Sequence, residues 1–243
     1  MPRARGGFAA KKPPTFSPWP PVKTSTGGGG SSYSTPRKAE RARGIFVDGA
    51  RDFKGAKMER ELYIPLILGT PRKGRASENV ARFVLGELAR REGVATELID
   101  VRGLRLATDD AGEDIKDAEF SSKMNRADAL VIVTPEYNHG YPGLLKHALD
   151  TNLKEYIHKA VGICGVSAGG LGGTRVIENL LPVMRELGLV TIFWDGNFSG
   201  AQKLFDESGK ILDESYVRRL DKFIKELIWM ARTLRHGREN IPL

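Results

Sequence analysis

The chain has 243 residues, 40% hydrophobic and 28% charged, which suits one domain with a core of its own plus a tail. A single cysteine, Cys164, excludes an internal disulfide framework and any all-cysteine metal or iron–sulfur site, and points to a reducing, cytoplasmic setting; the four scattered histidines lack metal-ligand spacing. The net charge of +8 sits at the front: residues 1–60 hold 13 Lys/Arg against four acids, which leaves the remainder at −1 and without the basic footprint of a nucleic-acid protein.

Residues 1–57 are rich in Pro, Gly and Ser, including Gly27–Gly30, and show neither helical nor alternating periodicity. Such a segment is expected to be disordered, because it buries too little apolar area to offset its ordering entropy. It has no apolar stretch of the kind a secretory signal needs. A competing reading places the true start at Met58, since Lys54-Gly55-Ala56-Lys57 permits a purine-rich, ribosome-binding-like codon run just before it. No apolar run approaches the roughly 20 residues that cross a bilayer, so no membrane partner is expected.

From there apolar runs alternate with amphipathic helices. Leu62–Leu68 reads as a strand, with Pro65 awkward inside it. Ser77 is placed to cap a helix over residues 78–91 that buries Val80, Phe83, Val84 and Leu88. Thr96–Asp100 is the second strand, and residues 101–119 read as an acidic surface loop. Ala129–Val133 is a buried strand followed by a helix near Gly143–Thr151. Ala160–Val166 is the next strand, with a helix near Thr174–Leu187, and Leu189–Trp194 is the last. The final helix, Glu214–Thr233, is expected to bury Tyr216, Leu220, Phe223, Leu227 and Met230. Five strands alternating with helices give an α/β, doubly wound parallel sheet, most simply in the order 2-1-3-4-5. Ligands in such sheets bind beyond the carboxyl ends of the strands.

Three loops fall there. The first, Gly69-Thr70-Pro71-Arg72-Lys73-Gly74-Arg75-Ala76-Ser77-Glu78-Asn79, joins a strand to a helix, where free N–H groups and the helix dipole favour an anion. It ends in neither a Walker motif nor G-x-G-x-x-G. The second, Thr134-Pro135-Glu136-Tyr137-Asn138-His139-Gly140-Tyr141-Pro142-Gly143, is stiff and carries flat faces suited to an aromatic ring. The third, Ser167 to Arg175, holds Gly169, Gly170, Gly172 and Gly173.

Pro135–Asn138, Pro142 and Leu145–Asp150 resemble the NAD(P)H-dependent FMN reductase family, whose hallmark is P-E-Y-N, a proline and L-K-x-A-[IL]-D. The resemblance spans about residues 62–195 and implies a flavodoxin-like fold with FMN as cofactor and NADPH or NADH as co-substrate. By this resemblance Gly69, Thr70, Arg72, Ser77, Glu78 (through its amide) and Asn79 hold the phosphate. Extra residues between Arg72 and Ser77 leave open whether Arg72 or Arg75 faces it. Pro135, Glu136, Tyr137, Asn138, His139 and Gly140 meet the ring's pyrimidine edge, and Ser167, Gly169, Gly170 and Gly173 lie along the ring and ribityl chain. Hydride passes to flavin N5 and on to a small-molecule acceptor (a quinone, azo compound, chromate or free flavin) in a ping-pong cycle that needs no side-chain acid or base. Glu136 is read as a brace, His139 as a mouth residue, Cys164 as core, and Lys146 with Asp150 as a helix ion pair; Tyr137 and Tyr141 either stack on a ring or pack a dimer. The family habit implies a homodimer or homotetramer.

Overall fold

The computed structural model describes residues 60–107, 109 and 115–242. The expectations for the 1–57 tail and the Met58 start, and for part of the 101–119 loop, lie outside the described residues. The elements are β1 (Leu62–Tyr63), β2 (Leu66–Leu68), α1 (Ser77–Ala89), β3 (Val94–Ala95), β4 (Leu98–Asp100), α2 (Ala118–Arg126), β5 (Ala129–Pro135), α3 (Gly143–Asp150), β6 (Ala160–Val166), α4 (Thr174–Glu186), β7 (Val190–Thr191), β8 (Gly196–Phe198) and α5 (Ser215–Asn240). All named strand pairs are parallel, in the order β4-β2-β5-β6-β7, with β8 also on β6 and β1 on β3.

Five strands were expected, the first of them short or beginning at Pro65, and the described residues hold eight pieces. The first break is at Pro65, which has no N–H to give a ladder. The chain does not leave the sheet there: Val131 N donates to the Pro65 carbonyl (3.0 Å), while Ile64 and Leu66 donate to the carbonyls of Ala95 and Glu97. The last strand is also shorter than the expected Leu189–Trp194. It stops at Thr191 and pairing resumes at Gly196, so three steps on β6 (Val161 to Cys164) face five on its neighbour. Two extra residues bulge outward and leave Phe193 and Trp194 exposed. Pairing restarts at a glycine for a steric reason: a Cβ on Gly196 would sit 2.5 Å from the Cys164 sulfur.

Alternation along the strands divides the core. Leu66, Leu68, Val131 and Val133 face α1 and α5, packing with Val80, Val84, Leu88, Phe223 and Leu227. Ile67, Leu130 and Ile132 face the opposite layer, with Phe120, Met124, Leu145, Val176 and Leu180. Both faces of β5 and β6 are thus covered, which explains their continuous apolar runs. Helix α2 was not anticipated. It is nine residues long, anchored by Phe120 and Met124, and started by the Asp117 carboxylate, which accepts from Phe120 N at 2.9 Å. Helix α5 runs to Asn240, seven residues beyond its expected end. Arg235 in that extension donates to the Arg60 carbonyl at 2.7 Å, whereas Met230 is only partly buried.

Candidate active site

All three loops emerge from the carboxyl ends of adjacent strands, β2, β5 and β6. Loop one is stitched to loop two at its base. Gly69 N donates to the Val133 carbonyl at 2.8 Å, and the buried Thr70 hydroxyl lies 3.2 Å from the Tyr137 hydroxyl. The two arginines of the loop take opposite directions. Arg72 is exposed, with its guanidinium 4.1 Å from the centre of the Tyr137 ring. Arg75 turns inward, is 7% exposed, and donates to the Thr70 carbonyl and to both carboxylate oxygens of Asp100. Burial raises the Asp100 carboxyl's pKa, but hydrogen bonds from Arg75 and Arg102 outweigh it and hold the group well below the usual carboxylate range. It is therefore charged at any working pH. Asp100 was missed in the sequence; its only signal was an acid at the end of an apolar strand.

Ser77 departs from its expected role as helix cap. The cap position is occupied by Ala76, already helical, and no side chain caps α1. Ser77 is instead the first residue of the helix, so its hydroxyl is left unspent: it is buried and makes no hydrogen bond. Glu78 pairs with Arg82 at 2.8 Å. Asn79 is exposed and lines a separate groove with Phe83 and Lys210.

In loop two, Tyr137 and Gly140 exchange both backbone hydrogen bonds at 2.9 Å. This closes a two-residue turn on Asn138 (φ 50°) and His139 (φ 66°), the geometry of a primed hairpin turn. Both residues sit in the left-handed region, and Asn179 Nδ2 holds the tip by donating to the His139 carbonyl at 2.6 Å. Glu136 reaches Arg175 of α4 with Oε1 at 3.3 Å, while its buried Oε2 has no partner. Lys146 and Asp150 form the i,i+4 ion pair on α3, with Nζ 2.7 Å from Oδ1.

In loop three, Ser167 N donates to the Phe198 carbonyl at 3.0 Å, and Gly200 N to the Gly169 carbonyl at 3.1 Å. Gly169 and Gly170 are exposed at the rim. Gly173 stands at φ 78° where α4 starts against β6, and a Cβ there would meet Val166 N at 2.5 Å.

The loops enclose a cleft of about 260 Å³. Arg72, Ser77, Pro135, Glu136, Tyr137 and Ser167 line it among the residues anticipated from the sequence, and Gly74, Arg75, Val166 and Ala168 join them. Ala201 and Gln202, from the turn after β8, also line it; no motif marked them. Gly69 and Thr70 are buried in the loop's base, whereas Asn138 and His139 form the exposed tip of loop two. The side chains of Glu78 and Asn79 do not line the cleft.

Three polar atoms of cleft residues lack a hydrogen-bond partner: Arg75 Nε, Ser77 Oγ and Glu136 Oε2. Buried polar atoms of this kind are normally satisfied, so each has a hydrogen bond left to make. Two donors beside the N-terminus of α1 suit an anion, and a carboxylate oxygen suits an N–H or O–H. FMN carries all of these groups, and the residues fit it.

The family model described as NADPH-dependent FMN reductase matches residues 63–200. The chain belongs to that family. It is accordingly an oxidoreductase that works with FMN and NAD(P)H. Among relatives of the reductase, a quinone reductase of Pseudomonas putida is 27% identical over 183 residues, 69% of this chain and 97% of that protein. An NADPH azoreductase of a Bacillus species is 33% identical over 120 residues, covering 47% and 64%. A solved flavoenzyme from Paracoccus denitrificans, an NAD(P)H:acceptor oxidoreductase, superposes with a TM-score of 0.62 at 21% identity over 71% of this chain and 98% of that one. That likeness places the fold among flavodoxin-like α/β proteins.

Proposed function

We propose that the reductase takes hydride from NAD(P)H on bound FMN and passes the electrons to a small-molecule acceptor of the quinone or azo class, donor and acceptor using one open face in turn. The observation that carries this reading is that three polar atoms without a hydrogen bond, Arg75 Nε, Ser77 Oγ and Glu136 Oε2, belong to residues lining one cleft built by all three loops. Bound FMN supplies the two-electron chemistry. The protein's part is to bind and orient. Loop one and the start of α1 hold the phosphate, with Thr70 anchoring the loop's base. In loop two Glu136, Tyr137 and Gly140 spend their amides on protein carbonyls, which leaves those of Asn138 and His139 at the tip of the turn to meet negative charge on the ring. Loop three, exposed at Gly169 and Gly170, leaves the rim open to a second substrate. No side-chain acid or base is assigned.

Relatives named quinone reductase, azoreductase and 2-hydroxy-1,4-benzoquinone reductase support the acceptor class. Taking β1 with β2, β3 with β4 and β7 with β8 as interrupted strands reads the sheet in the order 2-1-3-4-5. We also assign α3 to a homodimer or homotetramer contact, the chain to the cytoplasm, and residues 1–57 to a tail outside the catalytic domain.

The test is an anaerobic absorbance titration of the purified protein with FMN. NADPH or NADH is expected to bleach the flavin bands, a quinone to restore them, and initial-rate plots at several acceptor concentrations to run parallel. Intersecting plots would remove the alternating use of one face; bound flavin that neither nucleotide reduces would make the protein an electron carrier or sensor.

A further inference from the structure

We infer that Arg75, aimed by Asp100, is the guanidinium that receives the cofactor phosphate together with Ser77, and that Arg72 stands outside this contact. The inference rests on the FMN reading above and assigns its anion end. Arg75 is nine-tenths buried, yet its carboxylate partner occupies only part of its fork: the two terminal nitrogens go to Asp100 and the Thr70 carbonyl. Nε makes no hydrogen bond. Glu78 keeps Oε2 3.5 Å from it, an ion-pair distance without a hydrogen bond, while Oε1 takes Arg82 at 2.8 Å. Two residues along, the Ser77 hydroxyl is 2% exposed and equally unpartnered. Both residues line the same cleft at the first turn of α1, so a fixed N–H donor, a hydroxyl donor and the helix dipole serve one anion.

The local charge permits it. The guanidiniums of Arg75, Arg82 and Arg102 are grouped with the carboxylates of Glu78 and Asp100, a surplus of positive charge before the ligand arrives. Asp100 does not neutralise Arg75 so much as orient it. A guanidinium gripped at both terminal nitrogens cannot swing, and its Nε–H is committed to one direction. Arg72 has the opposite character: exposed, without a carboxylate partner among the described residues, and laid over the Tyr137 ring. Nothing locks it toward the base of the cleft where Ser77 lies.

FMN and riboflavin differ only by the phosphate, so the ratio of their dissociation constants isolates this contact from the fold and from the ring. Flavin fluorescence titrations of the wild type should show FMN bound more tightly than riboflavin. Ser77→Ala, Asp100→Asn and the charge-conserving Arg75→Lys should each shrink that preference by about tenfold, the size of one charged hydrogen bond, with riboflavin affinity unchanged. Arg72→Ala should keep the preference within roughly twofold. The inference is overturned if Arg72→Ala loses the preference while Ser77→Ala and Asp100→Asn keep it. It is also overturned if the latter variants lose both flavins alike, which would give Asp100 and Ser77 a purely structural part. A wild type that binds neither flavin would instead sink the reductase reading itself, before any variant is compared.

Discussion

Two glycines of the third loop show how single residues set this site. Gly173 is required by geometry: its φ of 78° is left-handed, and a Cβ would collide with the backbone of β6 at Val166 N. Gly170 is exposed, and a Cβ there would meet nothing within 4 Å. Gly173→Ala is therefore expected to cost more than about 2 kcal/mol in urea denaturation, and Gly170→Ala less than about 1 kcal/mol. Equal losses would mean that the turn into α4 relaxes in a way its tight contact does not suggest. The same logic runs in reverse at Asn138 and His139, where ordinary L residues hold left-handed conformations because the Tyr137–Gly140 bond pair and Asn179 over-determine the turn. Strain at a loop tip of this kind persists only when its surroundings enforce it.

At the scale of elements, the join between α2 and β6 carries a titratable link. Lys159, the residue before β6, buries its ammonium and donates to the carbonyls of Met124 and Asn125 at 2.6 and 2.7 Å, satisfying the orphan end of α2. Burial, reinforced by Arg238, lowers its pKa to about 8. Between pH 8 and the ordinary lysine value of 10.5 the unfolded chain keeps a proton that the folded chain has released, so this group's contribution to stability rises with pH across that window. The Cys164 thiol, pushed up by burial, acts in the opposite sense as its unfolded form ionises near 9, so the wild-type curve alone mixes the two. The difference between wild type and Lys159→Met isolates the lysine. Urea denaturation at pH 7, 8, 9 and 10 should show the wild type gaining on the variant as pH rises above 8; a constant gap would place the amine in a wetter setting than its contacts indicate.

For the whole molecule, the covered sheet, the two apolar layers and the cleft lining named above are all supplied by residues after 60. Removing residues 1–57 is expected to leave FMN affinity and the rate of flavin reduction by NADPH unchanged, checked by titration and stopped-flow absorbance. A truncated protein that loses flavin would make the tail part of the working enzyme. Sedimentation of both forms would show at the same time whether assembly depends on the tail.

The sequence by itself determined the alternation of helices and strands apart from α2, the parallel class of the sheet and the loops that meet at its carboxyl edge, because each depends on local periodicity or on a motif whose residues are neighbours in the chain. Pro135–Asn138 and the glycines after Ser167 were legible for that reason. What the tertiary structure alone decided depends on contacts between distant segments. Pro65 could be seen to disturb a strand, but only the neighbouring carbonyls and amides show that the chain stays in place. That pairing resumes at a glycine after the bulge at Phe193 and Trp194 follows from the room taken by the Cys164 sulfur on β6. Ala201 and Gln202 reach the cleft through the packing of an unmarked turn. Above all, Arg72 and Arg75 are indistinguishable as letters three positions apart; Asp100, on another strand, pulls one inward and leaves the other over a tyrosine, because a buried guanidinium needs a carboxylate partner and among the described residues only Arg75 has one.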